Sequence, residues 1–147
     1  VTQGAFYGWP FSYWGNHPDP RIAPADSAAP GPVTVPDYSL GSHVAPLGLE
    51  VIDSPGPGIG QWLGRGAVIG EHGSWNRSQR QGYKIAFVPF KNGMATAGPE
   101  DFLSGWMLAP DKKEVWGRPV GLLQMPDGSL LVSDDGGRKV WRISYKG

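Results

Sequence analysis

The sequence predicts an all-β protein of short strands and long loops, organised as part of a β-propeller. Three observations predict it. The 147 residues include 23 Gly and 15 Pro, so a turn-former interrupts nearly every window of helical length. No segment repeats its apolar residues with the 3.6-residue period of a helix. Aromatic residues still make up 12% of the chain, which separates it from Gly- and Pro-rich sequences that stay disordered.

The elements follow in order. Residues 6–14 (Phe-Tyr-Gly-Trp-Pro-Phe-Ser-Tyr-Trp) read as an aromatic strand or a pair of short strands, with Trp9 and Trp14 in a core between blades. Residues 16–36 read as a long loop in which Asp19 and Asp26 have no evident partner. Residues 47–52 form a strand, 55–60 a turn cluster, 61–70 the next strand and 83–90 its partner. Asn92-Gly93 is a hairpin turn signal, and residues 99–108 read as a single amphipathic helical turn.

The last third is clearest: strands at 119–125, 129–133 and 139–144, separated by Pro126-Asp127-Gly128 and by Asp134-Asp135-Gly136-Gly137. Three antiparallel strands joined by tight turns make most of one propeller blade. At about 40–45 residues per blade the chain holds roughly three, fewer than the four to eight of a closed ring. Residues 1–147 are therefore expected to be the C-terminal part of a single propeller domain. Standing alone, an incomplete ring exposes sheet edges and apolar faces, so self-association is expected.

Charge and composition exclude several functions. Thirteen basic residues balance thirteen acidic ones, so nucleic acid is not an expected partner. No apolar run approaches the length of a membrane span, and no charged, apolar leader opens the sequence, so the chain reads as soluble. With no cysteine there is no disulfide, thiolate metal site or Cys nucleophile.

The chemistry concentrates in residues 70–77, Gly-Glu-His-Gly-Ser-Trp-Asn-Arg. An apolar strand delivers an imidazole, a hydroxyl, an amide and a guanidinium into one loop, which suits a polyanionic or quinone-like ligand. Trp75 could stack on a planar ligand, close a sugar pocket or pack between blades. Glu71 could hold His72 or Arg77 in place. Asp134 and Asp135 suggest a calcium loop or, more simply, a hairpin turn, because the remaining ligand spacing is absent.

Four pieces in order, Phe6-Tyr7-Gly8-Trp9-Pro10, residues 42–48 (Ser-His-Val-Ala-Pro-Leu-Gly), residues 70–77 and Gly117-Arg118-Pro119-Val120-Gly121, resemble the glucose/sorbosone dehydrogenase family, the L-sorbosone dehydrogenase branch most. The final strands, residues 129–135 and 140–143, resemble that family's last blade. The resemblance implies a six-bladed propeller that binds pyrroloquinoline quinone (PQQ) with calcium and oxidises sugars or sugar aldehydes. It implies that a base removes the hydroxyl proton while hydride passes to the quinone, whose carboxylates are held by arginines. It also implies a periplasmic or secreted location and a general-base histidine upstream of this sequence, a role not given to His17, His43 or His72.

Residue by residue, the resemblance implies that Arg118 pairs with a carboxylate of the quinone. His43 is implied near the cofactor, or else caps a loop. Arg77 and Asn76 stand where a basic residue meets the quinone, a role a small shift would give to His72, Ser74 or Trp75 instead. Trp75 falls at the substrate pocket. Tyr7 lies in a segment that approaches a structural calcium through its main-chain oxygen. A non-catalytic propeller that binds a glycan or a protein is the alternative reading, and a lactonase-like hydrolase ranks below both, since acids are scattered.

Overall fold

The computed structural model describes residues 2–22, 29–53 and 56–147, in two compact units, Val1–Ser39 and Leu40–Gly147. In the first unit a two-stranded antiparallel pair, β1 (Ser12–Tyr13) and β2 (His17–Pro18), lies within an otherwise irregular chain, and Phe6 bridges to Val33. The turn into β1 is closed by Ser12 N–H donating to Gly8 O at 2.9 Å. A Cβ on Gly8 would stand 2.7 Å from Ser12 Oγ, so only glycine allows so tight a turn. That turn throws Trp9 outward, and in this chain Trp9 and Trp14 are 72% and 43% exposed. Asp19, far from lacking a partner, is buried and accepts from Arg21 Nε at 2.8 Å and from Arg21 N–H at 3.0 Å. Those hydrogen bonds lower its pKa to about 2. Asp26 lies outside the described residues.

The second unit contains β3 (Pro46–Ile52), α1 (Ile59–Leu63), β4 (Gly66–Glu71), β5 (Lys84–Lys91), β6 (Met94–Ala95), β7 (Glu100–Leu103), β8 (Pro119–Gln124), β9 (Leu130–Asp134) and β10 (Lys139–Ile143). Strands β3, β4, β5 and β7 form an antiparallel meander, with β6 folded back on the end of β5. Strands β8, β9 and β10 form a second antiparallel meander. The Asn92-Gly93 turn is as expected, both residues having positive φ (55° and 77°) between β5 and β6.

Two elements differ from expectation. Gln61, Trp62 and Leu63 belong to a single helical turn instead of the strand, which begins only at Gly66. Gly58 (φ 82°) and Gly64 (φ 75°) bracket that turn with conformations that β-branched or bulky residues resist. Residues 100–103 are strand β7 instead of a helical turn. The outer edge of β5 offers unpaired backbone groups, and Phe102 and Leu103 pack onto the core from β7. A short apolar run does not itself distinguish helix from strand, and here the waiting sheet edge decides.

The core lies between the two meanders. Ile52, Val68, Ile85 and Phe87 from the first sheet meet Leu130 and Val132 from the second, with Ile59, Tyr83 and Trp106 closing the cluster. Strand β4 is buried along its whole length, and up to its last residue, Glu71, its sequence is a small and apolar run without polar alternation. Backbone approach between the sheets is close where β8 is bulged between Pro119 and Leu122. A Cβ on Gly48 would fall 2.0 Å from Val120 O, and one on Gly70 2.6 Å from the same atom. Glu50 strengthens this seam by accepting from Gln124 N–H at 3.1 Å.

Gly48→Ala is therefore expected to force the sheets apart and to destabilise the chain by about 1–3 kcal/mol. Gly98→Ala, where nothing lies within 4 Å of the added carbon, should stay within about 0.5 kcal/mol. Urea unfolding midpoints of the two variants make the comparison.

Candidate functional site

The site grows from the end of β4. Past Glu71 the chain still pairs with the segment before β3: His72 N–H donates to Ala45 O at 3.0 Å and Gly73 N–H to Val44 O at 2.8 Å. Ser74 then turns inward and is almost wholly buried. Its N–H donates to Gln81 O at 2.9 Å, and its Oγ accepts from Gln81 N–H at 3.0 Å. Its carbonyl accepts from the Tyr83 hydroxyl and from Arg80 Nη1 at 3.2 Å. The loop of residues 74–81 is thus closed at its base by one serine.

Arg118 organises the same place from the second sheet. Its Nε donates to His72 O at 3.1 Å and its Nη2 to Gly73 O at 2.7 Å, while the guanidinium lies 5.3 Å above the Tyr83 ring. Gly73 (φ 93°) makes this possible, since a Cβ there would stand 2.4 Å from the Tyr83 ring. The Arg118 backbone N–H donates to Asp134 Oδ1 at 2.7 Å. Asp134 also accepts from Gly137 N–H at 2.6 Å and from Trp141 Nε1 at 3.0 Å. Burial pushes the Asp134 carboxyl up. The donors Arg118, Trp141, Gly137 and Trp106 outweigh that and hold it below the ordinary carboxylate range. Its neighbour Asp135 reaches across to His72 Nε2 at 2.9 Å.

The structure therefore brings His72 and Arg118 together and ties both to the turn after β9. Arg77 is held nearby on another anchor, its Nη1 donating to Ser42 Oγ at 2.7 Å, so the loop also reaches the segment that carries His43. His43 is exposed and sits with φ 62° in the turn leading to β3. Asn76 is exposed, and Trp75 is 75% exposed in this chain. Tyr7 belongs to the other unit, where its hydroxyl accepts from Thr2 N–H at 3.0 Å. Among the described residues no group of three or more His, Asp or Glu is placed to hold a metal ion.

Glu71 holds neither His72 nor Arg77. Successive residues of a strand point to opposite faces, so the carboxylate leaves the loop that His72 enters. It is 2% exposed, and its Oε2 is buried without a hydrogen-bond partner. Burial raises its pKa, and the charge of Lys84 opposes the shift. The sequence reading missed Ser74 as a structural keystone and overlooked Tyr83. The adjacent glycines Gly73 and Gly82, both with positive φ, were the available signal of a tightly built loop.

Two antiparallel meanders with an arginine- and histidine-bearing loop at one end define an all-β fold of open, blade-like sheets. Residues 14–146 match the TrAA12-like family model, and the chain belongs to that family. It is similar to the calcium structure of Trichoderma reesei Carbohydrate-Active Enzymes Family AA12, with TM-score 0.72 and 22% identity over 99% of this chain and 39% of that one. It is also similar to the holo form of the pyranose dehydrogenase PQQ domain from Coprinopsis cinerea, with TM-score 0.63 and 23% identity over 96% and 40%. An uncharacterized protein of Borreliella burgdorferi is 40% identical over 110 residues, 74% of this chain and 28% of that protein. The chain thus spans about two fifths of the solved structures and about a quarter of the curated relative. The family shown is TrAA12-like; the expected membership of the glucose/sorbosone dehydrogenase family is not confirmed. The all-β expectation holds, with three open sheets among the described residues.

Asp134 and Glu71 act oppositely on stability. A carboxyl with a lowered folded-state pKa contributes stability above the unfolded pKa and loses it as pH falls through the folded one. Asp134→Asn should remove that acid sensitivity and, by leaving buried donors poorly paired, cost about 1–3 kcal/mol at neutral pH. A carboxyl with a raised pKa does the reverse, so wild-type stability should fall as pH rises from the unfolded value through the folded value of Glu71. Glu71→Gln should be the more stable protein at neutral pH. Denaturant titrations across the pH range 3 to 8 check both signs, a window set by ordinary carboxylate values of about 4.

Proposed function

We propose that this chain is part of a PQQ-dependent oxidoreductase acting on sugars or sugar aldehydes, of the glucose or L-sorbosone type, and that it supplies one wall of the cofactor and substrate pocket. One observation carries the reading: Arg118, from the second sheet, grips the loop that carries His72 and Arg77, in a chain of the TrAA12-like family. The donor set fits a planar polyanion. Guanidinium forks match carboxylates, and two of the Arg118 N–H groups grip the loop while stacking on Tyr83 fixes the fork's plane. Structural similarity to a holo PQQ domain and to a calcium structure in family AA12 supports PQQ and calcium as the cofactors.

Bound PQQ with its calcium would supply the two-electron oxidant. This chain's part is positioning. Arg118 and Arg77 meet the carboxylates, and His72, oriented by Asp135, presents its ring beside them. Asn76 and His43 add hydrogen-bonding groups from exposed positions, and Trp75 offers an indole face to the sugar ring. The general base lies upstream in this reading, as does main-chain calcium ligation beyond that suggested for Tyr7. A periplasmic or secreted location accompanies it.

Titration of the chain with PQQ and calcium chloride, followed by absorbance and calorimetry, tests the proposal. Arg118→Ala should weaken quinone binding at least about tenfold, the loss of one charge-assisted fork. Trp75→Ala, at an exposed position, should leave the fold and quinone affinity intact and weaken aldose binding by the quinone-loaded chain. Sugar binding without any quinone binding would instead favour the non-catalytic module.

A further inference from the structure

A cavity opens beside the end of β4, where Glu71 contributes to its wall and where the loop-closing residues Arg80, Gln81 and Tyr83 form another side. It is a groove of about 610 Å³, within the size range of ligand sites, bordered by Glu71, Lys84 and Asp101 from three neighbouring strands and by Arg80, Gln81 and Ser104 from loops. Its charged groups other than Glu71 already have partners. Lys84 Nζ pairs with Asp101 Oδ1 at 2.5 Å, and Arg80 Nη1 donates to Ser74 O. Glu71 Oε2 does not, although it is buried in a place where an unpaired oxygen costs free energy.

We propose that this groove binds a neutral polyhydroxylated ligand, one or two sugar rings in size, with a hydroxyl donating to Glu71 Oε2. Charge decides the class. Two carboxylates and two cations line the groove and balance, so it offers no net field to an anion or a cation. Lys84, on the strand beside Glu71, opposes a metal ion directly. A hydroxyl both donates and accepts, so one ligand satisfies the Glu71 oxygen and meets the Arg80 and Lys84 donors and the Gln81 amide. Tyr83, Val44 and Met107 supply apolar wall for the C–H faces of a sugar ring. The inference stands on the groove alone and needs no quinone.

Calorimetric and fluorescence titration of the quinone-free chain with D-glucose and with cellobiose, and separately with calcium chloride, tests it. We expect a saturable response to at least one sugar, weakened about tenfold in Glu71→Gln through loss of a charge-assisted hydrogen bond. The folded state of Glu71→Gln is verified by its urea unfolding midpoint in the same series, so that a lost response does not reflect unfolding. Ser104→Trp, at an exposed position on the rim, should block the groove with Glu71 untouched and abolish the response. No sugar response, a response indifferent to both substitutions, or a calcium response abolished by Glu71→Gln in place of a sugar response would each overturn the proposal.

Discussion

The candidate site depends on one residue held at both ends. The Arg118 main chain is fixed by the Asp134 carboxylate, and its side chain grips the carbonyls of His72 and Gly73 over the Tyr83 ring. The backbone end matters as much as the guanidinium. Asp134 is buried, and a Cβ on Gly117 or Gly137 would fall 2.0 or 2.5 Å from its Oδ2. Two glycines thus admit a carboxylate to the root of the arginine, and that carboxylate collects N–H groups from the turn that follows β9. Asp135 leaves the same turn to meet His72. Both members of the acidic pair therefore serve geometry, one as the turn's internal acceptor and one as a tie to the loop.

This arrangement converts contact between sheets into placement of a loop. Strand β8 approaches β3 and β4 so closely that only glycine fits opposite Val120 O, at Gly48 and Gly70. The closeness lets a side chain rooted at the start of β8 reach main-chain atoms past the end of β4. Ser74 and Tyr83 then close the loop from inside, and Arg77 ties it to Ser42. A ligand entering here meets donors whose directions are already fixed, so little side-chain freedom is lost on binding.

The sequence revealed the strands whose ends carry turn chemistry. Pro126-Asp127-Gly128 and Asp134-Asp135-Gly136-Gly137 bound the last strands in the structure much as their residue types require. Where turn residues and apolar runs gave conflicting signals, the reading failed: Trp62-Leu63 looked like strand because the positive φ of Gly58 and Gly64 is a tertiary outcome. Residues 100–103 became strand because β5 had an edge to fill, a fact no local window contains. At the site, the residue types of 70–77 were legible and their partners were not. His72 finds Asp135, 63 positions away, and Arg118 finds Gly73, 45 positions away, and such pairings exist only once the two sheets have met.

Glu71 shows why adjacency in sequence misleads. It stands beside His72, yet the pleat sends the two side chains to opposite faces, one toward Arg118's loop and one into a groove of balanced charge. A buried carboxylate oxygen without a donor costs stability, and the rest of this neighbourhood is carefully paired: Ser74, Asp134 and Lys84 all have partners at hydrogen-bonding distance. Packing alone would favour an apolar or amide residue at the end of β4. Protonation relieves part of that cost, and a donor entering the groove would relieve the rest. A groove bordered by equal positive and negative charge selects a donor that carries no net charge of its own.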